Sequence, residues 1–170
     1  MKKIQINTTY KKLLADIYTP VGIYLRLRDR FRDTILLEST DFHAGENSYT
    51  FIGINAIAGI EIKNTAVIEY KYPSQKPEKF EITNTQDVPG HLWNFMQQFE
   101  VIQPAARPIN VAQGLFGYTS YDAVQFFDTI DLKKPEILQN TDSRHLDTAN
   151  VEIPLMRYRL YQYVIIFNHF

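Results

Sequence analysis

Along the 170-residue chain the spacing of hydrophobic positions changes several times, and each change marks a boundary between elements. Ile4 and Ile6 alternate with polar neighbours and predict a short opening strand. Thr8-Thr9 then precede Tyr10, Leu13, Leu14 and Ile17, whose steps of three and four predict a capped amphipathic helix. Thr19-Pro20 predicts a second helix, with the hydroxyl as cap and proline in the first turn. Val21, Tyr24, Leu25 and Phe31 mark the buried face of that helix. Arg26, Arg28, Arg30 and Arg32, broken by Asp29 and Asp33, read as its solvated face and exit.

From Thr34 the period becomes that of strands. Thr34 to Leu37 is a continuous apolar run, which predicts burial on both faces. Asp41 to Asn47 reads as a polar turn. Tyr49 to Ile54 and Ile57 to Ile62 predict two strands meeting at Asn55-Ala56, followed by Ala66 to Tyr72 and Lys79 to Thr83. Their connections are too short for parallel crossovers, so this meander is antiparallel. Val88 to Phe99 predicts a helix with Leu92, Phe95, Met96 and Phe99 on one stripe. Residues 103–110 read as a loop, 113–118 as a glycine-bearing strand, 121–127 as a helical turn and 129–150 as a long loop. Ile153 to Phe167 is a long final strand. It turns wholly apolar just before the chain ends, and the expectation is a domain spanning residues 1–170 that is truncated at its C-terminal side.

Composition narrows the functional classes. With 45% hydrophobic and 22% charged residues the chain is ordinary globular protein, long enough for one sizeable core. A formal net charge of -1 gives no global field to hold nucleic acid. The absence of cysteine removes disulfides, thiolate metal sites and thiol catalysis, and suits a cytoplasmic location. No apolar run is long enough to span a membrane. The four histidines are scattered without ligand spacing, so neither a metal site nor a catalytic residue is assigned.

One segment carries candidate chemistry. Leu36-Leu37-Glu38-Ser39 is an apolar strand that stops at a carboxylate beside a hydroxyl. Such a pair can hold the polar head of a free amino acid: Glu38 meets the ammonium, and Ser39 offers its hydroxyl and a backbone N–H freed where the ladder ends. Tyr49, Phe51, Met156 and Tyr158 are candidate walls for a flat side chain.

Four ordered blocks give the chain a family resemblance. They are Thr19 to Leu25, Leu36 to Ser39, Ser48 to Gly53, and Gly114 to Tyr118 with Tyr121-Asp122-Ala123-Val124. Together they resemble the N-terminal domain of anthranilate synthase component I; Ser48 and Gln125 stand where that family often carries basic residues. The resemblance implies an α+β fold of packed antiparallel β-sheets, sandwich-like, with flanking helices. It also implies an L-tryptophan feedback site that includes Glu38, Ser39, Tyr49 and Met156. The parent enzyme would convert chorismate to anthranilate with Mg2+ and ammonia from a glutamine amidotransferase subunit, component II. The chorismate, metal and reacting residues would lie in a C-terminal domain, so this chain would hold no cofactor. Two other readings are an aminodeoxychorismate synthase component I domain and an RNA- or peptide-binding sheet. The latter rests on Arg157 and Arg159 alternating with Tyr158, with Tyr161 and Tyr163 following on the same strand.

Overall fold

A computed structural model describes residues 3–38, 48–130, 132 and 153–169. Its centre is the long strand β3 (Tyr49–Ile62), which is paired along both edges. On one edge β8 (Met156–Asn168) runs antiparallel along the whole length, from Tyr49 opposite Asn168 to Ile62 opposite Met156. The other edge is divided. There β2 (Ile35–Glu38) pairs with residues 50–53, and β4 (Val67–Lys71) with residues 59–62. Outside β4 lies β5 (Glu78–Glu81), and outside β8 lies β7 (Phe116–Thr119), again antiparallel. A separate parallel pair joins β1 (Ile4–Ile6) to β6 (Phe99–Val101). The fold is α+β, an antiparallel sheet with flanking helices in a sandwich-like arrangement.

The sequence pattern divides β3 at Asn55-Ala56, and the structure bends it there without a break in pairing. Asn55 has φ 60°, and the register slips so that Ala56 faces Tyr161 while Ala58 faces Leu160. Two residues of β3 therefore oppose one of β8, which is a β-bulge and sharpens the local twist. The Ala56 carbonyl accepts a hydrogen bond from Lys71 Nζ at 2.9 Å, so the irregular backbone is not left unsatisfied.

Beyond the bulge the pleat sorts residues by chemistry. Ile60, Ile62, Ile68, Met156 and Leu160 are buried together on one face. Val88 and Phe95 of α2 (Val88–Met96) cover them, with Ala123 and Phe126 of the 3-10 turn Tyr121–Phe126. The opposite face carries Glu61, Arg157 and Tyr118 on one rung across β3, β8 and β7. At Gly117 a Cβ would collide with the Arg157 carbonyl, so only glycine lets β7 approach β8 so closely.

Helix α1 (Pro20–Leu27) starts as its sequence predicts: Gly22 N–H donates to Thr19 Oγ1 at 3.1 Å. Replacing Thr19 by alanine is expected to cost about 1 kcal/mol, read from urea denaturation. The expected buried face is not buried, however: α1 contains no buried residue, and Val21, Leu25 and Phe31 are exposed.

The preceding helix does not form. Tyr10, Leu13, Leu14 and Ile17 lie in irregular chain and are 72–86% exposed. A stripe of that length cannot hold a helix in water without a surface to bury it. Strand β2 is half-buried, because it has a partner on one side and lies on the divided edge. The α2 helix stops at Met96, since Phe99 is drawn into pairing with Ile4. A single helical turn, α3 (Ile109–Ala112), occurs within the expected loop. The turn at 41–47 and most of the loop at 129–150 lie outside the described residues. No helix of the described residues is long and apolar enough to cross a membrane.

Candidate functional site

The end of β2 is held in place by its apolar residues. Leu36 sits opposite Ile52 and Leu37 opposite Phe51, so the run Ile35-Leu36-Leu37 is zipped against β3 and delivers Glu38 as the last paired residue. Glu38 faces Thr50, and its side chain is exposed. Thr50 is 1% exposed, and its hydroxyl is 2.7 Å from His169 Nε2. The His169 backbone N–H donates to the Ser48 carbonyl at 3.2 Å, which fixes His169 beside this corner. Thr50 faces Phe167 on its other side. Glu38, Thr50 and Phe167 thus form one rung across three strands, roughly 10 Å wide, on one face of the sheet. His169 lies two residues beyond Phe167 in β8 order, on the same side.

The other candidate walls are not on that rung. Tyr49 is the neighbour of Thr50, so the pleat turns it to the opposite face from Glu38. There it begins an aromatic row: Tyr49 to Phe51 is 6.3 Å between ring centres, Phe51 to Phe116 5.7 Å, and Phe116 to Tyr161 6.3 Å. Burial, with Asp33 adding to it, pushes the Tyr161 hydroxyl up to about 12.

Met156 lies elsewhere. It is opposite Ile62, while Glu38 is opposite Thr50, so twelve residues of β3 separate them, roughly 40 Å along an extended strand. Met156 is 1% exposed and belongs to the core under α2, and Tyr158 packs against that same cluster. The antiparallel pairing sends the start of β8 to the far end of β3, so Met156 cannot line the Glu38 corner. Ser39 is outside the described residues. Phe167 and His169 were not singled out from sequence. Only the register of a strand more than a hundred residues away places them beside Glu38.

A second polar group lies beyond the bulge. Arg157 Nε donates to Glu61 Oε2 at 2.9 Å, and Arg159 Nη2 donates to the same oxygen. Burial pushes the Glu61 carboxyl up, but the hydrogen bonds and charges of both guanidiniums outweigh it and hold the group below the ordinary carboxylate value. Arg157 also lies 3.9 Å from Asp33. The two arginines that suggested a nucleic-acid platform are therefore turned onto a buried carboxylate, and Arg159 itself is 7% exposed. Among the described residues no group of three or more His, Asp or Glu side chains could hold a metal ion.

No family model matches the chain. It is 28% identical over 133 residues to anthranilate synthase component 1 of Aquifex aeolicus, covering 78% of this chain and 26% of that protein. The protein of the same name from Methanothermobacter thermautotrophicus is 29% identical over 113 residues, 66% of this chain and 22% of its own length. That of Lactococcus lactis is 24% identical over 169 residues, covering 94% and 29%. The chain shows weak, partial-length homology to anthranilate synthase component 1. Its aligned stretch spans about a quarter of the length of these relatives.

Proposed function

We propose that this chain is the N-terminal regulatory domain of an anthranilate synthase component 1, and that the Glu38 corner is where it takes L-tryptophan. The observation that carries the reading is the position of Glu38. Within a chain homologous to that enzyme, a carboxylate stands exposed at the last rung of an apolar strand, next in sequence to a hydroxyl. In this reading Glu38 meets the ammonium, Ser39 meets the carboxylate, and the indole lies against Phe167 on the same face. Phe167 takes the part first given to Tyr49 and Met156.

The energetics suit an effector. Burying an indole of about 150–250 Å² at roughly 25 cal/mol per Å² contributes about 4–6 kcal/mol. Charge-assisted hydrogen bonds add about 1.5–3 kcal/mol each. After the entropy of association, such a sum corresponds to about micromolar affinity. The proposed parent enzyme converts chorismate and glutamine-derived ammonia to anthranilate. It does so together with its own chorismate-binding domain and component II. Tryptophan inhibits by favouring a domain arrangement that binds chorismate poorly, and only to the extent that it binds the two arrangements differently. Magnesium belongs to the catalytic part in this reading.

Calorimetry tests the proposal. L-tryptophan is expected to bind this protein with saturable 1:1 heat, D-tryptophan much more weakly, and the Glu38→Ala variant at least about tenfold more weakly. Heat unaffected by Glu38→Ala, or no heat from the parent protein, overturns it.

A further inference from the structure

We infer that the cleft between the exit of α1 and β8 is a separate binding site for a small anion carrying carboxylate or phosphate oxygens. The cleft has a volume of about 810 Å³. Arg28, Arg30, Arg32 and Arg157 line it against Asp29 and Asp33, an excess of two positive charges on a chain whose formal net charge is -1.

The carboxylates in the cleft are already engaged. Asp29 Oδ1 is 3.6 Å from Arg28 Nε, and Asp33 Oδ1 is 3.9 Å from Arg157 Nη1. Arg157 is further tied to Glu61, which fixes one wall of the cleft to the sheet. Arg30 and Arg32 have no acidic partner among the described residues, yet both face the same space as Arg157.

The backbone brings these charges together. Asp33 has φ 54°, a left-handed conformation uncommon outside glycine, and closes the bend at residues 31–33 between α1 and β2. Two planar forks without partners, beside a third held rigid, suit a ligand with several negative oxygens. Tyr24 and Phe31 complete the lining with aromatic surface. None of the residues of the Glu38 rung lines this cleft, so the inference stands apart from the tryptophan reading.

The test is calorimetric titration of the protein with inorganic phosphate and with succinate at low ionic strength. At least one should bind with a saturable 1:1 isotherm, and the tighter of the two names the oxyanion class. In Arg30→Gln/Arg32→Gln the affinity should fall about tenfold or more. The ligand-free thermal midpoint should be unchanged, because both side chains are exposed. Absence of saturable binding by both anions overturns the inference, as does binding retained by the double variant or reproduced by chloride at equal ionic strength.

Discussion

Replacement of Glu61 by glutamine is expected to destabilise the protein by about 3 kcal/mol near neutral pH, because it leaves two guanidiniums facing each other without a charge between them. Glu61 is 5% exposed and Arg159 7%, so water cannot fully replace the lost carboxylate. The loss stays at the low end for buried pairs because the Arg157 side chain remains 37% exposed and keeps part of its hydration. Acid should erase the difference. The Glu61 carboxyl is held below its ordinary value of 4.5 in the folded protein. Its contribution is therefore complete above that value and is lost as pH falls through the lower folded one. Urea denaturation of both proteins across this range should show the gap closing on the acid side. A gap that is constant with pH would mean that glutamine acts through packing and not through charge.

Phe95→Ala is expected to be the more damaging change in the core, at about 3–5 kcal/mol. Phe95 is 1% exposed, with ring centres 6.0 Å from Tyr70, 5.5 Å from Tyr72 and 5.1 Å from Phe99. It joins α2 to β4 on one side and to β6 on the other, so truncation opens a cavity where two sheets and a helix meet. Phe95→Leu should recover much of the loss, since leucine is closer in volume to phenylalanine than alanine is and leaves a smaller void. Chemical denaturation measures both. Equal losses in the two variants would show that ring contacts, and not filled space, hold this junction.

Local chemistry was the most legible part of the sequence. Thr19-Pro20 marked the start of α1, the two apolar runs after Tyr49 marked the halves of the central strand, and short turns fixed the antiparallel order of β3, β4 and β5. These signals act within a few residues of one another. What the sequence did not disclose depends on distant partners. The stripe at Tyr10, Leu13, Leu14 and Ile17 has helical spacing but no described surface to bury it, and spacing alone does not fold so short a segment. Phe99 satisfies the helical stripe of α2, yet the backbone of Ile4 takes it into a strand. The bend at Asn55 looked like a break because one-dimensional pattern cannot show that β8 pairs through it.

The candidate site divides the same way. Glu38 was legible as an anion ending an apolar run, and β2 places it at the last rung. Its neighbours on the rung were not, because they follow from the register of β8 over β3. Met156 sits at the wrong end of that register, and Tyr49 is one residue out of phase with Thr50. The pairing of Glu61 with Arg157 and Arg159 had a faint signature: one acid in β3, and two arginines at alternate positions in β8, in strands otherwise rich in isoleucine and tyrosine. Such charges in a buried strand signal one another more often than they signal solvent.

Backbone amide spectra recorded during an L-tryptophan titration test the proposed site most directly. Saturable shifts are expected, largest at Leu37, Glu38, Thr50, Phe167 and His169, the residues that converge at the last rung of β2. Shifts centred on residues 28–33 or on the core around Met156, or no saturable change at the Glu38 corner, would contradict it.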